Sequence, residues 1–227
     1  MSIIKLKHWL ELNAGSAFSN SLVGFDVVNI RPVRYERLSH GAHSEVDEAD
    51  EHVKPEMPAE ALVDLLQLFE ISGIEVWLDG GWAVDALLGA PTRPHKDLDI
   101  ILRLADLPQL REILGSRGFE IQQGGRESNF VLADHSGLEV DVHAIVFDGD
   151  GNGVYRMENG SDWIFPASGF SGRGVVNSVA VRCLSPETQV LCHAHGYVPT
   201  EKDFRDMELL QARFGVELPP RLRRDRV

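Results

Sequence analysis

Residues 78 to 100 read Leu-Asp-Gly-Gly-Trp-Ala-Val-Asp-Ala-Leu-Leu-Gly-Ala-Pro-Thr-Arg-Pro-His-Lys-Asp-Leu-Asp-Ile, a glycine pair followed within one short stretch by a carboxylate pair. Asp97 and Asp99 stand at i and i+2 in an otherwise apolar run, so a strand places both carboxylates on one face, roughly 6.5 Å apart. Like charges that close repel unless a cation lies between them. A third acid, Asp141, sits in a second apolar run, Leu138-Glu-Val-Asp-Val-His-Ala-Ile-Val146, which also reads as a strand able to lie beside the first. Three convergent carboxylates favour a hard cation with oxygen ligands, Mg2+ above all.

The surrounding pattern is that of a mixed α/β (α+β) domain. After Met57, Pro58 suits a first helical turn, Leu62, Leu65, Leu66 and Phe69 recur at helical spacing, and Gly73 is placed to end the helix. Ile74 to Leu78 reads as a strand, Gly80 and Gly81 as a tight turn, and Trp82 to Leu88 as a short helix stopped by Gly89. Further strands are expected at Asp97 to Leu104, Phe119 to Gln122, Ser128 to Ala133, Leu138 to Val146, Trp163 to Phe165 and Val175 to Leu184. A helix from Asp106 to about Arg117 interrupts them, and two more follow Ser185-Pro186 and the capping-box pattern Thr200-Glu-Lys-Asp203.

Residues 1–56 differ from this pattern. Between Glu45 and Glu60 seven acids oppose the single base Lys54, and no apolar periodicity runs through Glu56, so residues 39–56 read as a solvated linker. The expected organisation is an N-terminal extension and acidic linker over 1–56, a catalytic core over 57–150 and a substrate-binding part over 151–227, with a small helical portion at the C-terminal end.

A formal net charge of −13 argues against a protein that clamps long nucleic acid, since phosphate contacts need clustered Lys and Arg. No run approaches the roughly 20 apolar residues of a membrane span, and the first ten residues lack a signal-peptide apolar region, so a cytoplasmic location is expected. In that compartment Cys183 and Cys192 read as reduced, packed thiols.

Chemically, the constellation fits transfer of a nucleoside monophosphate, in which a hydroxyl attacks the α-phosphorus of a nucleoside triphosphate and pyrophosphate leaves. Two divalent cations stabilise the charge on both oxygens, which requires several carboxylates; Asp97, Asp99 and Asp141 supply them, and Asp141 is also placed to accept the hydroxyl proton. Gly80, Gly81 and Trp82 open a helix whose N-terminus can face the phosphates, and Arg93, His95 and Lys96 are candidates to neutralise them. Arg126 is a further candidate phosphate contact. His143, two residues past Asp141 and on the same strand face, can orient the acid, touch the substrate or help deprotonate the acceptor.

Trp77-Leu-Asp-Gly-Gly-Trp-Ala-Val-Asp85, His95-Lys-Asp-Leu-Asp-Ile100 and Val140-Asp-Val-His143 resemble the motifs of small antibiotic nucleotidyltransferases within the DNA polymerase beta-like superfamily, over residues 58 to about 214. The pattern is most similar to lincosamide nucleotidyltransferases, whose carboxylate-histidine strand, Asp-Gly loop, Asp-Trp segment and late Gly-Tyr are matched by Asp141 to His143, Asp148-Gly149, Asp162-Trp163 and Gly196-Tyr197. Aminoglycoside 2''-nucleotidyltransferases share the glycine and carboxylate part. The resemblance implies a nucleotidyltransferase fold, Mg2+, a nucleoside triphosphate donor with ATP first, and a small antibiotic acceptor touched by His143, Asp162 and Tyr197; it places the metal on Asp97, Asp99 and Asp141. One departure is Asn129, where such relatives are expected to carry an arginine. Alternatives are an aminoglycoside acceptor, a toxin-like enzyme acting on protein or tRNA, and a nucleotide-binding module without turnover. A homodimer that completes an open site is a further expectation.

Two other motifs carry less weight. Asp148-Gly-Asp-Gly-Asn-Gly153 matches half of a calcium loop but has Asn159 where the bidentate glutamate belongs. Cys192-His-Ala-His195 crowds three possible zinc ligands onto one helix, a poor tetrahedral arrangement.

Overall fold

The helical spacing ahead of the glycine pair buries one stripe, as a period of 3.6 requires. In a computed structural model, which describes residues 56–122, 128–157, 160–195 and 198–224, helix α1 (Ala59–Ile71) turns Leu62, Val63, Leu65 and Phe69 inward. Strand β1 (Val76–Leu78) follows, then helix α2 (Gly80–Leu88), strand β2 (Asp97–Arg103) and helix α3 (Leu107–Ser116). Strands β3 (Glu120–Ile121), β4 (Asn129–Ala133), β5 (Glu139–Phe147), β6 (Gly153–Arg156), β7 (Asp162–Phe165), β8 (Gly172–Val176) and β9 (Val179–Cys183) precede helices α4 (Pro186–His195) and α5 (Glu201–Phe214).

The main sheet runs β3-β4-β5-β2-β1-β9-β8, and the β6–β7 hairpin continues from the far end of β5. It is mixed: β2 pairs parallel to β5 and antiparallel to β1, while β4 pairs antiparallel to β5. Alternation along the strands then sorts the side chains. Leu98, Ile100 and Leu102 of β2 and Val140, Val142 and Ala144 of β5 join α1, α2 and α3 in one apolar core. The opposite face carries Ile101 and Ile145, which pack with Trp77, Tyr155, Phe165, Phe170 and Cys192. A third cluster joins Val84 of α2 to Val190 of α4 and to Met207 and Leu210 of α5. No helix among the described residues is long and apolar enough to cross a membrane.

Three sequence expectations need correction. Gly80 and Gly81 do not form a separate turn: they are the first residues of α2, because the Asp79 side chain caps that helix by accepting from the Gly80 amide at 2.8 Å. Val175 to Leu184 is not one strand but a hairpin, folded at Asn177 and Ser178, which take φ of 46° and 65°. Asn suits that left-handed conformation, a turn signal without glycine. The strand Gly153–Arg156 was not foreseen either; its single-residue alternation of small and aromatic side chains is too short to register. Residues 1–55, Arg126, Asn159, Gly196 and Tyr197 lie outside the described residues.

Candidate active site

The parallel register of β2 and β5 sets the acids side by side. Asp99 is paired with Asp141, Asp97 with Glu139, and Ile101 with His143. Because side chains alternate, Asp97, Asp99, Glu139, Asp141 and His143 share the face opposite the helical core. None is exposed: Asp97 and Glu139 are half-buried, Asp99 is 8% exposed, His143 4% and Asp141 0%. One ligand atom each from Asp99, Asp141 and His143 lie within 4.8 Å of one another.

Asp141 is the most constrained of these groups. Neither of its carboxylate oxygens meets a hydrogen-bond donor among the described residues, and His143 Nε2 lies 3.6 Å from Oδ1. Burial drives its pKa well above the ordinary carboxylate range, and Asp99, Asp97 and Asp79 add to the rise. Burial likewise lowers His143 to about 3, with Asp99 opposing the shift. Burial thus disfavours the charged form of both groups. Buried carboxylate oxygens without donors, gathered with a second carboxylate and an imidazole, form a donor set that suits a divalent ion.

The glycine pair closes the site from the helix side. A Cβ on Gly80, whose φ is 63°, would lie 2.3 Å from Asp99 Oδ2, so only glycine lets the α2 N-terminus approach that carboxylate. The Asp79 amide also donates to the Asp99 carbonyl at 3.0 Å, stitching the end of β1 to β2.

Gly81 faces a different group of residues. Its absent side chain leaves room for His95 and Arg93, whose atoms lie 2.3 and 2.6 Å from where a Cβ would stand. His95 Nε2 meets Asp85 Oδ2 at 2.6 Å, Arg93 Nη1 meets His95 Nδ1 at 3.0 Å, and Arg93 Nη2 meets Asp206 Oδ2 at 2.6 Å. A guanidinium only donates, so His95 Nδ1 accepts and Nε2–H donates to Asp85. Asp85 also accepts from the Thr92 hydroxyl at 2.6 Å and the Thr92 amide at 3.1 Å. Burial opposes the Arg93 charge, but the hydrogen bond and charge of Asp206 outweigh it and raise its pKa. Trp82 is buried with its ring centroid 4.6 Å from that of His95.

Of the expected site residues, Asp99, Asp141 and His143 come together with Gly80 against Asp99, Asp97 lies two residues along the same strand face, and Gly81, Trp82, Arg93 and His95 form the layer behind. Lys96 is exposed just ahead of Asp97. Asp162 lies on β7 in a solvent-facing ion pair, 2.6 Å from Arg156 Nε.

Sequence reasoning passed over Asp79, Glu139 and Tyr155, and did not foresee the pairing of Asp206 with Arg93. Strand parity with Asp141 is the signal for Glu139, and the position directly before the glycine pair is the signal for Asp79. Tyr155 and Asp206 carry no local signal; Asn129 Nδ2 donates to the Tyr155 hydroxyl, and that ring stands edge-on to His143 at 6.1 Å.

The two discounted motifs have local explanations. Asp148 Oδ1 accepts from the amides of Asp150 and Asn152 at 2.9 and 2.8 Å, an ordinary loop tie. His193 and His195 each direct Nδ1 at the carbonyl four residues earlier, at 2.8 and 3.0 Å.

A family model described as aminoglycoside-2''-adenylyltransferase matches residues 61–210. The chain is similar to a lincosamide resistance protein of Staphylococcus haemolyticus, 31% identical over 148 residues that make up 65% of this chain and 91% of the relative. A 2''-aminoglycoside nucleotidyltransferase of Escherichia coli is 42% identical over 50 residues, 21% of this chain and 28% of the relative. The crystal structure of the lincosamide antibiotic adenylyltransferase LnuA with lincomycin bound matches with a TM-score of 0.63 at 29% identity, covering 70% of this chain and 99% of that one. ANT(2'')-Ia in complex with adenylyl-2''-tobramycin shares the fold, with a TM-score of 0.55 at 20% identity over 68% of this chain and 87% of that one.

Proposed function

This chain belongs to the aminoglycoside-2''-adenylyltransferase family, and from that premise we propose that it is an antibiotic nucleotidyltransferase moving a nucleoside monophosphate, AMP first, from its triphosphate to a hydroxyl of a lincosamide. The observation that carries the reaction class is the Asp99–Asp141 register pair, with the Asp141 oxygens buried and without donors among the described residues. The lincosamide acceptor rests on the reach of the similarity: it spans 91% of a lincosamide resistance protein but 28% of the aminoglycoside enzyme of Escherichia coli.

In this reading Asp97, Asp99 and Asp141 hold divalent metal, Mg2+ in the usual case. When bound, the metal neutralises charge on the α-phosphate and on the departing pyrophosphate. The chain's own groups do the remaining work. The α2 N-terminus presents its dipole to the triphosphate, and the lack of a side chain at Gly80 keeps it against Asp99. Lys96, exposed beside Asp97, attracts the β- and γ-phosphates. Arg93 and His95 act on the nucleotide through Gly81, holding its backbone from behind with their links to Asp206 and Asp85. Asp141, beside Asp99 in the register of β2 and β5, takes the proton of the acceptor hydroxyl.

The test is a pyrophosphate-release screen of ATP, GTP, CTP and UTP with lincomycin and tobramycin in Mg2+, with product masses recorded. One nucleoside monophosphate added to lincomycin is the expected result. An adduct on tobramycin alone changes the acceptor and keeps the reaction; an adduct on neither removes the antibiotic reading.

A further inference from the structure

Asp99, Asp141 and His143 form one donor set, and the imidazole in it changes which metal the site selects. We propose that His143 is a direct nitrogen ligand of the ion held by Asp99 and Asp141, so that the site prefers Mn2+ to Mg2+. The inference rests on the nucleotidyltransferase reading only for the purpose of the metal, not for its presence.

Three observations support it. Asp141 is 0% exposed and neither oxygen has a hydrogen-bond donor among the described residues, a costly arrangement that a cation relieves. His143 Nε2 lies 3.6 Å from Asp141 Oδ1, too long for a hydrogen bond under ordinary geometry. Two ligands at right angles on an ion with bonds of about 2.1 Å stand about 3 Å apart, and opposite ones about 4.2 Å. The three donor atoms lie within 4.8 Å of one another, at most about 0.6 Å beyond the distance between opposite ligands, so small side-chain adjustments close them on one ion.

The register argues against His143 as the group that meets the acceptor hydroxyl. Asp97 and Glu139 stand at the half-buried end, Asp99 and Asp141 come next, and His143 is the farthest of the set from that end, buried with the Tyr155 ring edge-on to it. A substrate entering from the open end meets the carboxylates first. Asn129, bonded to the Tyr155 hydroxyl, fixes that ring and so the space left to the imidazole. Mg2+ keeps oxygen ligands and sheds water reluctantly, whereas Mn2+ accepts imidazole more readily and bound carboxylates equally well.

The experiment uses the full chain titrated with MnCl2 alone, with ¹⁴N electron spin echo envelope modulation as the primary readout. The expected result is modulation from a directly coordinated imidazole nitrogen, altered when histidine is ¹⁵N-labelled and absent in Asp141→Asn. His143→Gln should lose the nitrogen signal, weaken Mn2+ binding by about tenfold or more and weaken Mg2+ much less, collapsing the selectivity. Bound Mn2+ without nitrogen coupling, or no Mn2+ binding, overturns the proposal even if His143→Gln does not fold, since both are read on the unmutated chain. Nitrogen-coupled Mn2+ together with no pyrophosphate release from any triphosphate keeps the ligand and sinks the functional reading instead.

Discussion

Ionised Asp141 is expensive for the fold, because a carboxylate removed from water without donors loses hydration that nothing among the described residues replaces. Its folded pKa is raised, so the folded chain keeps a proton that the unfolded chain releases. Stability in the absence of metal is thus fullest at low pH as far as this group is concerned, and declines as pH rises from the ordinary carboxylate value through the raised one. Asp141→Asn should therefore raise the Tm of EDTA-treated protein at pH 7, by roughly 2–4 °C for each kcal/mol recovered in a chain of this size, while lowering transfer by at least about a thousandfold. Thermal melts across pH 4 to 8, the Tm gain shrinking toward the acid end, check the first claim; an unchanged Tm at pH 7 contradicts it. Gly80→Ala should act on the same carboxylate by a steric route. A Cβ at 2.3 Å from Asp99 Oδ2 on a residue with φ of 63° costs about 1–2 kcal/mol in backbone strain alone, and the displaced Asp99 should depress kcat more than the stability loss explains.

At the level of elements, the loop before β2 is tied to two helices at once. Asp85 of α2 holds His95, and Asp206 of α5 holds Arg93, with side-chain exposures of 18% for Arg93 and 1% for Asp206. Truncating Arg93 leaves a buried carboxylate without its counter-charge, which costs about 3–5 kcal/mol for a fully buried pair. Since Arg93 is partly exposed, Arg93→Ala should cost roughly 2–3 kcal/mol, measured by urea denaturation. Asp206→Asn, which keeps the shape and removes the charge, should cost less and raise KM for the nucleotide through a loosened Gly81. Equal stability of Arg93→Ala and the parent chain would show that the network is ornamental.

For the whole chain, the apolar core begins at Met57, which is 1% exposed and whose amide donates to the His95 carbonyl at 2.8 Å. We propose that residues 1–56 are an N-terminal extension and acidic linker that transfer does not require. Removing residues 1–55 while keeping Glu56, so that Met57 retains a peptide amide, should leave a soluble protein with unchanged kcat for transfer. A size-exclusion profile showing aggregation, or a tenfold drop in kcat, would make the extension part of the working domain.

Much of this site is local and therefore legible in one dimension. A two-residue spacing puts Asp97 and Asp99 on one strand face, and the glycine pair marks a close backbone approach; each follows from backbone geometry within a few residues. The helices after Met57, Asp106, Pro186 and Thr200 were readable for the same reason. What the sequence left open depends on pairings between distant segments. Asp141 can be drawn beside Asp99 from pattern alone, but that it falls in register with Asp99, with Glu139 opposite Asp97 and His143 one step farther along, is decided by how β5 docks on β2. Arg93 and His95 looked like phosphate ligands because loop position says nothing about partners; Asp206, more than a hundred residues away, comes within 2.6 Å only when α5 packs on α2. Propensity acts over a few residues, whereas register, burial and the pairing of buried charges are properties of the assembled sheet, so they appear only in three dimensions.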